Sequence, residues 1–183
     1  MDKFLLCILS LGLAMAVSAQ SSPAQNSERA IVKEVVVNAP VAEVWKVWTT
    51  TEGVVTFFAP RAHVELRAGG PYELYFDAAQ PKGLQGSEGC TVVKFQPMEK
   101  LVFTWNHPPF LSIRNELTRV TLTFHEIATG RTRVSLRHTG WKEGVEWDQS
   151  FAYFDRAWTK VLANLDHRFT TGPIDWTTFS YRR

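Results

Sequence analysis

The side chains able to do chemistry in this sequence are few and widely spread. The five histidines are His63, His107, His125, His138 and His167. No two stand at the three- or four-residue spacing that puts a pair of metal ligands on one helix face. His125-Glu126 begins like a zinc-protease motif, but no histidine follows four residues on. They read as structural or surface histidines, and no metal or other cofactor is expected. Nucleophilic catalysis has no better footing. There is no Gly-X-Ser-X-Gly, and Gly86-Ser87-Glu88-Gly89 reads as the start of a strand beside a bulge. Cys90 lies mid-strand with Val92 on its face, the setting of a buried, inert thiol. Gly69 and Gly70 precede a strand, so they form a turn and not a phosphate cradle.

What remains is a polar set on otherwise apolar faces. His107 shares a face with Phe103 and Trp105, His138 with Val134 and Leu136, and Tyr72 with Leu74 and Phe76. If those faces turn to one side, the three converge in a cavity, with Trp45, Phe57, Phe58 and Trp147 around its rim. An apolar pocket with a few polar groups is the usual small-ligand site. Such a cavity would hold an apolar or aromatic molecule, oriented by His107, His138 or Tyr72. The alternatives are histidines that only order the sheet, or an enzyme using His107 or His138 as general base, with Glu88 or Asp77 as acidic partner.

The element that has to position this set is a long helix near the C-terminus. Trp147, Phe151, Phe154, Trp158, Val161, Leu162, Leu165 and Phe169 recur at steps of three and four, one stripe of an α-helix over about Glu146 to Phe169. Asp148, Asp155, Arg156, Lys160, Asp166 and Arg168 take the other face. Gly172 and Pro173 stop it. About 24 residues at 1.5 Å each run roughly 36 Å, and a stripe that long needs an equally long apolar surface.

The preceding chain supplies one. Ala30 to Asn38 is β-branched and reads as a strand. A helix starts around Pro40 with Val41, Val44, Trp45, Val47 and Trp48 inward, and a second, short helix covers Val54 to Phe58. From Arg61 the period changes to two. Six strands follow, over Arg61–Arg67, Tyr72–Asp77, Glu88–Gln96, Lys100–His107, Leu117–His125 and Thr132–Thr139. Loops at Gln80 to Gly86 and Pro108 to Asn115 interrupt the meander. The expectation is an α+β fold: a curved, seven-stranded antiparallel sheet wrapped around the long helix, with two short helices after the first strand.

Composition agrees with one such domain. The chain has 183 residues, 45% apolar and 21% charged. A net charge of +2 gives no basis for nucleic-acid binding. Aromatic residues make up 13%, with 7 Trp, which suits an aromatic core or an aromatic-lined cavity. Residues 1–19 read as a secretory signal peptide: Lys3, then an apolar run from Phe4 to Val17, then Val17-Ser18-Ala19 before the cleavage point. Cleavage near Ala19 predicts an exported protein, periplasmic or secreted, with no stable membrane span. Cys7 leaves with that segment, so Cys90 stands alone and no disulfide within the mature chain is expected. Residues 20–29 form a polar leader, 30–172 the domain and 173–183 a tail.

Six segments, in this order, resemble the SRPBCC superfamily (START and Bet v 1-like, the helix-grip fold), and within it the branch named after the activator of the heat-shock protein ninety ATPase. They are Val37-Asn38-Ala39-Pro40 with Val44-Trp45-Lys46-Val47-Trp48-Thr49; Thr51-Glu52-Gly53 with Phe57-Phe58-Ala59; Gly69-Gly70-Pro71-Tyr72-Glu73; Leu101-Val102-Phe103-Thr104-Trp105; Leu136-Arg137-His138-Thr139-Gly140; and Trp158 through Leu165. The resemblance covers about Ala30 to Phe169. It implies the fold but no catalytic set, because this fold hosts lipid carriers, cyclases, dehydratases and co-chaperones. Three functions are therefore weighed: first a binding module for an apolar small molecule, second a cyclase- or dehydratase-like enzyme, and last a co-chaperone. The export signal argues against the last.

Overall fold

A computed structural model describes residues 28–178; the expected signal peptide and most of the leader lie outside that range. Seven strands and three α-helices follow one another as β1 (Ile31–Val37), α1 (Val41–Thr49), α2 (Thr51–Val54), β2 (Arg61–Val64), β3 (Tyr72–Tyr75), β4 (Val92–Gln96), β5 (Lys100–Trp105), β6 (Thr118–Ala128), β7 (Arg131–Thr139) and α3 (Val145–Thr170). Ser112–Asn115 adds one 3-10 turn between β5 and β6. Antiparallel pairing in the order β1-β7-β6-β5-β4 makes a five-stranded sheet, and β2 and β3 make a hairpin. Backbone bonds from Gly69 N to Val92 O, Tyr72 N to Cys90 O and Val92 N to Gly70 O tie the hairpin to the β4 edge. The expected α+β helix-grip fold is thus present, its seven strands divided five and two.

Register explains which residues meet. Phe103 of β5 lies opposite Val120 of β6, and Val120 opposite His138 of β7. Leu101, Leu122 and Leu136 form the next row. Side chains alternate across a strand, so these rows face one way together, and all of them are buried. α3 lies against that face with Trp147, Phe154, Trp158, Val161, Leu162 and Leu165 buried; Phe151 and Phe169, at its flanks, are only half-buried.

Two local readings need correction. The second helix begins one turn earlier than expected. Thr50 is extended and its hydroxyl accepts the Gly53 amide at 3.0 Å, so Thr51–Val54 is helical and Val55–Phe58 continues as turns. Gly53 is required there, since a Cβ would stand 2.4 Å from the Val47 Cα. Glu88 to Thr91 is not regular strand either. Ser87 is buried and its hydroxyl accepts from Leu74 N at 2.8 Å, which draws the chain across the end of β3 before β4 starts at Val92.

The described part of the tail, residues 173–178, packs back. Ile174 N donates to Thr56 O at 2.8 Å and Trp176 Nε1 to Val55 O at 2.5 Å, while Asn164 Nδ2 of α3 donates to Phe57 O at 3.2 Å. Three successive carbonyls after α2 are thereby satisfied from outside it.

Candidate functional site

A cleft of about 460 Å³ opens between α3 and two loops, residues 76–86 after β3 and 106–114 after β5. α3 contributes Tyr153, Phe154, Ala157, Trp158 and Val161, spaced by helical periodicity along one side. β5 and its extension contribute Trp105, Asn106 and His107; Phe58 closes the end beneath α2, and Phe76 stands beside it. Phe58 stacks on Trp105 with ring centroids 5.7 Å apart, and Trp105 and Trp158 approach to 5.4 Å. The wall is therefore a continuous aromatic surface.

Both loops are held by one guanidinium that the sequence reading did not single out. Arg114 is 7% exposed. It donates to Gly83 O (3.2 and 3.0 Å), Gly86 O (2.6 Å) and His107 O (2.5 Å), and stands 3.5 Å from Glu88 Oε2. Glu88 in turn accepts from Gly83 N (2.6 Å) and Gly86 N (3.0 Å). Burial pulls the Arg114 pKa down from its ordinary value, and the Glu88 charge opposes that pull. Glu146, in the first turn of α3, clamps Ser112 through both its amide and its hydroxyl. These bonds fix the rim of the cleft.

Of the nine residues singled out from the sequence, Phe58, Trp105 and His107 line the cleft. The other six stand behind it. Trp45 meets Phe124 edge-on at 5.3 Å, away from the opening. Phe57 packs under Trp48 at 4.8 Å. Tyr72 stacks on Phe103 at 4.2 Å and gives its hydroxyl proton to Trp48 O at 3.0 Å; burial raises its pKa. Trp147 covers His107 from outside, its ring edge-on at 4.6 Å.

The two histidines take different roles. His138 Nδ1 accepts from Trp158 Nε1 at 3.0 Å, so its proton lies on Nε2. Nε2 then donates to Thr118 Oγ1 at 2.7 Å, and Thr118 donates to Trp105 O at 2.8 Å. This directional chain joins α3, β7, β6 and β5, and it leaves His138 no free nitrogen. Burial, then the neighbouring His107, lowers the His138 pKa to about 3. His107 Nδ1 pairs with Ser150 Oγ at 2.7 Å, while its Nε2 is buried with no partner among the described residues. Burial lowers its pKa to about 4, with Glu116 opposing. Both rings are neutral at pH 7.

Cys90 is buried, and burial pushes its thiol up to about 12. Among the described residues no three metal-ligating side chains come together, and no helix is long and apolar enough to cross a membrane.

Comparison with known proteins agrees with this architecture. No curated protein matches the chain. Among solved structures, protein MLL2253 from Mesorhizobium loti aligns with a TM-score of 0.63 at 17% identity, over 76% of this chain and 95% of its own. The Aha1 dimer from Colwellia psychrerythraea gives 0.61 at 17%, over 79% and 98%. Protein BH1534 from Bacillus halodurans gives 0.59 at 26%, over 77% and 96%. These likenesses concern the fold. The sequence profile of one family, described as "Activator of Hsp90 ATPase homolog 1-like protein", matches residues 38–170. With well over half its length matched, and with the helix-grip architecture in place, this chain belongs to the Activator of Hsp90 ATPase homolog 1-like family of the SRPBCC superfamily.

Proposed function

We propose that this domain binds an apolar, ring-bearing small molecule in the cleft between α3 and the two rim loops. The observation that carries the reading is the aromatic wall formed by Phe58, Trp105, Phe154 and Trp158 around a space of about 460 Å³. That volume falls in the range of ordinary ligand sites. Removing such a wall from water favours an apolar occupant by roughly 25 cal/mol per Å² of apolar surface. The test is native mass spectrometry of the full chain, with Ala157→Phe as control. Ala157 lines the cleft and is half-buried, so a phenyl ring there fills the space without disturbing the core. Bound apolar species in the wild type that vanish in Ala157→Phe support the reading; an empty wild type that takes up no apolar probe refutes it.

A second reading is favoured by one specific feature. His107 lines the cleft, is held at Nδ1 by Ser150 and stays neutral at pH 7; its Nε2 has no partner among the described residues and is closed to solvent, so a substrate reaches it only when a neighbouring side chain shifts. A neutral, oriented imidazole is what a general base of a cyclase- or dehydratase-like enzyme requires. Turnover that disappears in His107→Gln while ligand uptake persists would establish it.

We also propose export. Lys3, the apolar run Phe4 to Val17 and Val17-Ser18-Ala19 support it. N-terminal sequencing of expressed protein is expected to begin near Gln20; Met1 retained on cytosolic protein refutes it.

A further inference from the structure

The outward face of the five-stranded sheet concentrates positive charge that the chain as a whole does not have. Side chains alternate across a strand, so residues between the buried ones point away from α3. On β7 these include Arg131, Arg133 and Arg137, alternating with buried Thr132, Val134 and Leu136. On β6 Arg119 stands between buried Thr118 and Val120. Lys100 of β5 lies opposite Thr123, and Lys94 of β4 opposite Val102, which in turn lies opposite Thr121. Six cations thus share this face with one outward carboxylate from the same strands, Glu34 of β1. Glu99 and Glu126 stand at the turns that close one end of it. The net charge of +2 hides the patch, because Glu43, Asp148, Asp155 and Asp166 are carried on helices that pack against the other face.

These charges are free to meet a partner. Lys94, Lys100 and Arg119 have no hydrogen bond or ion pair among the described residues. Arg133 meets Glu34 at 3.1 Å and Arg137 meets Glu28 at 3.8 Å, with all four side chains more than two-fifths exposed. Exposed pairs of that kind are weak and exchange for another anion at little cost. The spread is two-dimensional. Lys94 to Arg137 crosses three strand spacings, about 14 Å, and Arg131 to Arg137 runs about 20 Å along β7. One phosphate or sulfate cannot reach across that array. Thr121, Thr123 and Ser135 fill positions between the cations. No Phe, Tyr or Trp stands at an outward position of these strands, so a single-stranded nucleic acid finds no stacking platform.

We infer that this face rests on an anionic lipid surface, its cations among the headgroups and no segment of the sheet inserted. A flat array of charge complements a flat array of headgroups, and α3 with the cleft remains on the side away from the bilayer. The inference is independent of what the cleft holds.

The test uses the full chain, offered together to vesicles of phosphatidylcholine and vesicles of phosphatidylcholine with about 30% phosphatidylglycerol, one population sucrose-loaded so that a centrifuge separates them. Competition between the two cancels any affinity of residues 1–19 for lipid as such. Each Lys or Arg near an anionic surface is worth about fivefold in partitioning. The expected preference for the phosphatidylglycerol vesicles is therefore tenfold or more in about 50 mM NaCl, falling towards parity in about 500 mM as salt screens it. Lys94→Gln with Lys100→Gln and Arg119→Gln should abolish the preference and leave Tm close to wild type, since none of the three holds a partner. Lys46→Gln with Lys82→Gln and Arg156→Gln removes the same net charge from exposed positions elsewhere and should keep the preference. Equal partition of the wild type, or a preference that survives the first triple substitution or is lost equally in the second, overturns the inference. Equal partition together with Arg119-dependent binding of a duplex DNA also overturns it, and assigns the face to nucleic acid.

Discussion

Acid should destabilise this domain well before its carboxylates titrate, and the two cleft histidines set the size of the effect. The folded chain holds His138 at about 3 and His107 at about 4, both because burial disfavours the charged ring. The unfolded chain returns each to about 6.5. Below that value the unfolded state binds protons that the folded state refuses, so stability falls as pH falls. It is fully present above the unfolded pKa, erodes from about pH 6.5 downward, and levels out only as the folded values are reached. Between pH 7 and pH 5 the proton uptake of one unfolded imidazole is worth roughly 2 kcal/mol, and of two roughly 4. Against a typical total of about 5–15 kcal/mol that is a large share. Carboxylates do not confuse the window. Glu65 and Glu146 have pKa values lowered by hydrogen bonds to Arg67 and to Ser112, so their contribution is lost only below the ordinary carboxylate range. Urea melts at pH 7, 6 and 5 measure the effect. His138→Gln should be less stable at every pH but should lose only about half as much between pH 7 and pH 5. A wild type whose unfolding free energy changes by less than about 0.5 kcal/mol over the window would refute the reasoning, since both rings would then accept a proton in place.

Further outcomes follow from the same contacts. Trp158→Ala should cost about 3–5 kcal/mol, as large aromatic truncations in cores do; Trp158→Phe should cost about 1–3 kcal/mol, chiefly by leaving His138 Nδ1 unpaired, and denaturant melts distinguish the two. Arg114→Met should cost about 3 kcal/mol by stranding Glu88, and hydrogen exchange should speed up at the amides of Gly83 and Gly86, which Glu88 holds. Thr50→Ala removes the cap of α2 and should cost about 1 kcal/mol in a thermal melt.

The sequence made the frame legible because periodicity encodes it. The step of three and four from Trp147 to Phe169 marked α3, and alternation in β5, β6 and β7 gave the faces that bury Leu101, Leu122 and Leu136. It also picked out Phe58, Trp105 and His107. It missed the outer half of the cleft, because Gln80, Gln85, Phe110 and Arg114 lie in loops where no period operates. Arg114 left one trace: an arginine in a short turn between Leu111 and Leu117, with no acidic side chain three or four residues away. Its partners are backbone carbonyls reached across the fold, and spacing cannot encode those.

The different fates of His107 and His138 follow from where a strand stops. Both stand on the inward face, and a face-level reading treats them alike. His138 lies inside the ladder, opposite Val120, where Thr118 and Trp158 are near enough to satisfy both nitrogens. His107 lies two residues past the end of β5, where the ladder has stopped; from α3 Ser150 supplies its one hydrogen bond among the described residues, while Trp147 offers only a ring edge. A histidine within a sheet is thus completed by its neighbours and becomes structure. One just beyond the sheet's end is left with a nitrogen to spare, beside the space that the loops enclose. The same reasoning applies along β5. Phe103, opposite Val120 within the β5–β6 ladder, is fully buried core, whereas Trp105, in the last pair of that ladder opposite Thr118, gives one ring face to Phe58 and lines the cleft. The binding surface begins where strand pairing ends, so it is built from the last residue of β5, the loops beyond it, and the length of α3 that those loops leave uncovered.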